Sequence, residues 1–286
     1  MKIFLTGMTG FLGCALAAHF RAAEYQIAGS SRRTAAMPGV ELVYAALGDP
    51  IQPSMFADSD VVVHAAHDFA PGSMARNIEG TLAMRDAAAA AGVGQQIFLT
   101  SYSARPDAES EYGRTKYQLE QLFSDSGSAV LRLGLVIGNG GLFARQRALL
   151  LRTPIVPLLG GGTDPVAVVA LSHVLASVEA VVRKRRSGSW NLFYDARPPM
   201  KEFVRQIKMH AGQRSIFLPV GARLAAAAVE VARSMGLPIP IEPGQIRALQ
   251  LNRDSSWKSD LPELLPGREA EFQLTYALEQ LAPCSC

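Results

Sequence analysis

KIFLTGMTGFLG, Lys2 to Gly13, is the stretch that decides the fold. It reads as a short apolar strand, Lys2 to Thr6, a glycine turn, and the first turn of a helix predicted over Phe11 to Ala22. Gly7 permits the tight turn, Gly10 allows close approach of a pyrophosphate to the backbone, and Gly13 allows the helix to pack hard on the strand. The free N–H groups of the helix's first turn, backed by its dipole, then form an anion cradle at the first strand-to-helix junction.

Outward from this segment, apolar runs alternate with Ala-rich helical runs to about residue 140. Strands are predicted at Gln26 to Ser30, Glu41 to Tyr44, Val61 to Ala65, Ile97 to Thr100 and Ala129 to Leu133. Helices are predicted at Ser73 to Ala91 and Glu111 to Ser124. This rhythm is that of βαβ units, whose right-handed crossovers give an α/β, doubly wound parallel sheet with its ligand crevice at the strands' C-terminal ends. Beyond Gly138, Gly and Pro become frequent, as in TPIVPLLGGGTDP, and the chain is expected to build a smaller lobe. The expected division is residues 1–140 for nucleotide binding, with a return to that domain near 160–182, and the remainder of 141–286 for substrate. Within the second part, a strand followed by a buried helix is expected over Pro165 to Val182, and further helices near Met200 to Ala211 and Ala222 to Ser234.

Composition narrows the class. With 286 residues, 49% hydrophobic and 19% charged, the chain is globular and large enough for two lobes. A formal charge of +3 is spread along the sequence, so nucleic acid is not an expected partner. The cluster Arg183 to Arg186 ends a predicted helix, where cations meet the negative end of the dipole. Cys14, Cys284 and Cys286 suggest neither a disulfide framework nor a metal site, which fits a cytoplasmic location. The three early glycines argue against a signal peptide, and no membrane span is expected.

The spacing of Thr6 to Gly13, T-G-x-x-G-F-L-G, resembles the extended short-chain dehydrogenase/reductase superfamily, the NAD(P)-dependent epimerase/dehydratase-like proteins with a Rossmann domain. Gly48-Asp49 resembles that superfamily's Gly-Asp pair after the third strand, DVVVHAA (Asp60 to Ala66) its fourth strand, and Asn77 to Thr81 its N-x-x-G-T. The resemblance implies cofactor contacts from Gly7, Thr9, Gly10, Phe11, Leu12 and Gly13. It further implies that Asp49 meets the adenine amine, that Ala65 and Ala66 lie along the cofactor, and that Leu135, in VLRLGLVIGNGG, stands beside the nicotinamide. At the end of the second strand NAD enzymes carry an acid that bonds the ribose 2′-OH, whereas an Arg accommodates a 2′-phosphate. Here the sequence is AGSSRRT, with Ser31, Arg32 and Arg33 and no acid, so NADP(H) is favoured over NAD(H).

In EYGRTKYQLE, Tyr112 and Lys116 are four apart on one helix face. A nearby ammonium favours phenolate and would lower the tyrosine pKa. The preceding strand ends in hydroxyl residues, IFLTSYSA, and by the superfamily's register Ser101 is the catalytic hydroxyl, with Ser103 the alternative. Ser101 and Tyr112 would hold a substrate oxygen and Lys116 the nicotinamide ribose. Only ten residues separate Ser101 from Tyr112, fewer than nucleotide-sugar epimerases and dehydratases of the superfamily usually carry. His173, in an apolar run where an Asp is common, reads as structural. The expected activity is an NADP(H)-dependent oxidoreductase acting on a carbonyl or alcohol of a small-molecule substrate. The alternatives are a nucleotide-sugar epimerase or dehydratase that keeps its cofactor, and a non-catalytic NADP(H) sensor. The resemblance also suggests a homodimer through a helix pair.

Overall fold

The computed structural model describes residues 1–32, 39–221 and 256–281. Seven parallel strands form one sheet in the order β10-β6-β5-β4-β1-β2-β3. They are β1 (Lys2–Thr6), β2 (Gln26–Ser31), β3 (Glu41–Tyr44), β4 (Val61–His64), β5 (Gln95–Ser101), β6 (Ala129–Leu133) and β10 (Gly188–Leu192). The helices α1 (Phe11–Ala22), α2 (Met74–Ala90), α3 (Glu111–Ser124) and α5 (Leu171–Arg183) cover its faces. Because successive strand residues point to opposite faces, β1 divides its side chains between two cores. Ile3 and Leu5 bury against Leu16 and Phe20 of α1 and Val174 and Val178 of α5, whereas Phe4 buries with Phe56, Met84 and Ala88 on the other face. Phe98 and Val130 continue the second face against Leu119 and Phe123 of α3. This is the doubly wound α/β sheet that the alternating strands and helices require.

After residue 133 the chain forms a separate two-stranded sheet and then returns once to the main one. The strand β7 (Leu135–Ile137) pairs in parallel with β9 (Val168–Ala170), and β10 adds the outermost strand beside β6. Between them lie α4 (Gly141–Leu150) and β8 (Ile155–Leu159), the latter paired in parallel with β11 (Ile216–Val220) after α6 (Met200–His210). The helix expected near Ala222 to Ser234 lies outside the described residues, as do Cys284 and Cys286. Among the described residues no helix is long and apolar enough to cross a membrane, and no group of His, Cys, Asp and Glu is arranged to hold a metal.

Two short helices, α7 (Leu261–Leu264) and α8 (Leu274–Glu279), bring the described C-terminal segment back onto the sheet's helical layer. His173 fastens it there. Its Nδ1 lies 2.8 Å from the Tyr194 hydroxyl and its Nε2 3.0 Å from a carboxylate oxygen of Glu271. The Tyr194 hydroxyl accepts the N–H of Ala170 at 3.0 Å, so a neutral ring protonated on Nε2 satisfies every member of the chain. His173 is fully buried, and burial holds its pKa below the ordinary value despite the carboxylate.

Candidate active site

The glycine turn sits at the C-terminal end of β1. Gly7 has φ +66°, and a Cβ there would lie 2.7 Å from Cα of Ala66. A Cβ on Gly13 would lie 2.5 Å from the carbonyl oxygen of Gly7, so α1 packs against the turn with no room for a methyl group. Thr6 Oγ1 accepts the N–H groups of both Ala65 and Ala66 at 3.1 Å, which fixes the chain leaving β4 alongside the turn. Gly10 is the N-cap of α1 and supplies no side-chain acceptor, so the first-turn N–H groups, including those of Leu12 and Gly13, face outward for a ligand.

Phe11 also packs on the loop that follows β7. Its ring occupies the space where Cβ atoms on Gly138, Gly140 and Gly141 would fall, at 2.9, 2.4 and 2.7 Å. The aromatic side chain therefore ties α1 to the loop that follows β7. Leu135, at the start of β7, is half-buried and donates its N–H to the Ala167 carbonyl at 2.7 Å.

At the end of β2, Ser31 Oγ and Thr9 Oγ1 are 2.6 Å apart, joining the strand to the turn. Arg32 follows and reaches across to Asp68, with Nη1 3.8 Å from Oδ1. The other carboxylate oxygen of Asp68 accepts Arg76 Nη1 at 2.6 Å. Asp68 is buried, and its pKa is held low, first by the Ala70 N–H it accepts and then by the two arginines. Arg33 lies outside the described residues. Asp49 accepts the N–H of Ala46 at 2.7 Å, so part of its carboxylate serves its own turn. The sequence gave no signal for Asp68 or Arg76 as partners of Arg32, because nothing in their spacing says that a loop after β4 reaches back to β2.

Ser101 ends β5, and its Oγ lies 2.9 Å from Ser103 Oγ, so both candidate hydroxyls belong to one hydrogen-bonded pair. Ser101 faces the Tyr112 phenol closely enough to lower its pKa in part. Tyr112 occupies the first turn of α3, whose N-cap Ser110 accepts the Gly113 N–H at 3.0 Å. Lys116, one turn on, is buried and donates to the Leu99 carbonyl at 2.9 Å while its Nζ stands 4.8 Å from the centre of the Phe98 ring. Here the structure corrects the expectation that the ammonium depresses the phenol's pKa. Burial pushes Tyr112 above its ordinary value, the Ser101 hydroxyl opposes this only in part, and burial pulls Lys116 down to about 8. Desolvation is the leading cause of both shifts, and the Lys116 ammonium is spent on the Leu99 carbonyl.

Two further residues, absent from the sequence reading, wall this site. The ring of His67 meets that of Tyr112 edge-on at 5.0 Å, and Phe69 stacks on Tyr112 at 5.8 Å with 21° between planes. Burial, with help from Lys116, pulls the His67 pKa to about 3, so its imidazole is neutral throughout the neutral range. The signal available was their position directly after the two alanines that follow β4, which places them at the same end of the sheet as Ser101.

Comparison with known proteins agrees with this geometry. The family model for the NAD dependent epimerase/dehydratase family matches residues 3–141. No curated protein sequence matches the chain. Among solved structures, a nucleoside-diphosphate-sugar epimerase from Staphylococcus aureus superposes with a TM-score of 0.74 at 18% identity, covering 98% of this chain and 100% of the other. MoeE5, in complex with UDP-glucose and NAD, gives 0.67 at 19% identity over 88% of this chain and 99% of its own. A dTDP-glucose 4,6-dehydratase, DesIV from Streptomyces venezuelae with NAD bound, gives 0.66 at 17% identity over 91% and 100%. At such identities these structures establish a shared fold. The match over residues 3–141, the glycine turn and the seven-stranded parallel sheet agree, and the first half of this chain is similar to the NAD dependent epimerase/dehydratase family.

Proposed function

We propose that the chain binds NADP(H) and catalyses hydride exchange at a carbon bearing a hydroxyl or carbonyl of a nucleotide-linked sugar, in the manner of an epimerase or dehydratase that retains its cofactor. The observation that carries this reading is the grouping of the Ser101 and Ser103 hydroxyls at the end of β5 with Tyr112 and, one helical turn on, the buried Lys116, which donates to the Leu99 carbonyl of the same strand. The cradle of Gly7, Gly10 and Gly13 fits a pyrophosphate, and Ser31 and Arg32 at the end of β2 favour a 2′-phosphorylated ribose over a free 2′-OH. When bound, the nicotinamide would supply the hydride acceptor and donor. Ser101 donates a hydrogen bond to the substrate oxygen, Tyr112 gives or takes the proton at its phenolic oxygen, and Lys116 holds positive charge beneath the site. The ring of His67, edge-on to Tyr112, and the exposed ring of Phe69, stacked on it, shape the wall beside the phenol.

A second reading, net reduction of a carbonyl with NADPH consumed, draws support from the Tyr112 phenol. Its raised pKa keeps it protonated near neutrality and ready to donate to a carbonyl oxygen. The short connection from Ser101 to Tyr112 points the same way. Absorbance of the purified protein separates the two. Retained cofactor and interconversion of UDP- or dTDP-sugars without loss of absorbance at about 340 nm support the first. Stoichiometric NADPH consumption with a small carbonyl supports the second. Absence of any NADP(H) or NAD(H) binding overturns both.

A further inference from the structure

The rim of the crevice beside β2 carries a charge arrangement that the glycine turn does not explain. Asp68, buried after β4, has one carboxylate oxygen facing Arg32 of the β2 end and the other accepting Arg76 of α2. Both guanidinium groups are more than half exposed, at 64% and 55% of their side chains, while the carboxylate between them is 10% exposed. Two exposed cations are thus gathered over one buried anion, with a net positive charge left toward solvent. The stem of Arg76 lies against the Gly48-Asp49 turn, where a Cβ on Gly48 would come within 3.3 Å of its Cγ. On the far side of Arg32, the Ser31 and Thr9 hydroxyls form the next polar pair. The two arginines therefore bracket the space between the end of β2 and the turn after β3, the space that the adenosine half of a dinucleotide needs if its pyrophosphate rests on the glycine cradle.

We infer that Arg76 is a second ligand for the adenosine 2′-phosphate, acting with Arg32 as a two-armed clamp that Asp68 holds in place. This rests on the NADP(H) reading given above. A phosphate monoester of charge near −2 needs more than one cation, and each guanidinium has five N–H donors, so each can bond a phosphate oxygen without leaving Asp68. Arg76 is distant in sequence from the end of β2, so it adds a contact that the residues following that strand do not foretell.

Titration calorimetry of the full chain with 2′,5′-ADP and with 5′-AMP tests the inference, since the two probes differ only in the 2′-phosphate. Wild type should prefer 2′,5′-ADP. Arg76→Ala and Arg32→Ala should each weaken 2′,5′-ADP by about tenfold or more and leave 5′-AMP within about twofold. Arg76→Lys should recover part of the loss, and the salt dependence of 2′,5′-ADP binding should be shallower in Arg76→Ala than in wild type. Unchanged 2′,5′-ADP affinity in Arg76→Ala, or equal losses for both probes, overturns the role of Arg76 while leaving NADP(H) binding through Arg32 intact. A wild-type protein that does not distinguish the probes overturns the NADP(H) reading itself. Should Arg76→Ala fold poorly, Arg76→Gln, which keeps the stem over Gly48, gives the same comparison.

Discussion

Tyr112 and Lys116 show how far a side chain's chemistry departs from its type once it is buried. The phenol is pushed up by burial, and the amine is pulled down to about 8. Replacing Tyr112 by Phe removes the proton carrier and keeps the ring that packs on His67 and Phe69. Turnover should fall by about 10²–10⁴-fold with cofactor affinity nearly unchanged, as steady-state rates and a cofactor titration would show. Unaltered turnover would refute the site. Lys116 makes a prediction of opposite sign for stability. The unfolded chain holds its proton up to about 10.5, the folded one only to about 8, so the unfolded state binds more protons between those values and stability rises with pH there. Lys116→Met should therefore be more stable than wild type at pH 7, on the order of 1–3 kcal/mol. The gap should close as urea unfolding is repeated between about pH 8 and pH 10.5.

The helix that carries both residues is anchored by a buried ion pair. Glu120 of α3 is almost wholly buried and accepts the guanidinium of Arg132 on β6, which also stacks over Trp257 with its centre 4.8 Å from the ring. Burial raises the Glu120 pKa and Arg132 opposes it. Arg132→Ala should destabilise the fold by about 3–5 kcal/mol in denaturant titrations, because it leaves a carboxyl group buried without its cation. A loss below about 1 kcal/mol would show that the pair does not hold α3. At this scale the sequence was informative wherever an element alternates or repeats cleanly. The bounds of β1, α1 and α3 follow from residues 2–6, 11–22 and 111–124 as read. β10 was not legible, because GSWNL is short, polar at two positions and placed at an edge where only β6 pairs it. The pair β8 and β11 hides behind Pro157 and Pro219, which a two-stranded sheet tolerates and a central strand would not. The glycine turn and the Tyr112/Lys116 pair stand out by local spacing, whereas Ser101 is singled out by the family resemblance. His67, Asp68 and Arg76 were not legible, since their roles arise only when the end of β4 meets β2 and α3.

Over the whole molecule, the chain's described C-terminal segment is held by the His173, Tyr194 and Glu271 network, and that makes the assembly acid-sensitive. His173 is held below 6.5 by burial, so the unfolded chain takes up that proton first and stability falls as pH drops below about 6.5. Hydrogen bonds from Arg268, His173 and Tyr276 pull Glu271 to about 2, so its contribution is complete above about 4.5 and is lost as pH falls toward 2. The difference in urea midpoint between wild type and Glu271→Gln should be largest near pH 7 and shrink below pH 4.5; a constant difference would exclude an electrostatic role for Glu271. A last consequence concerns the ring of Phe11, seated among Gly138, Gly140 and Gly141. Withdrawing that loop from α1 would open a hollow the size of a phenyl group, a costly event in a packed interior. The two banks of the crevice are thus riveted to each other, so damage done where one end of an elongated guest is gripped should be felt at the opposite end.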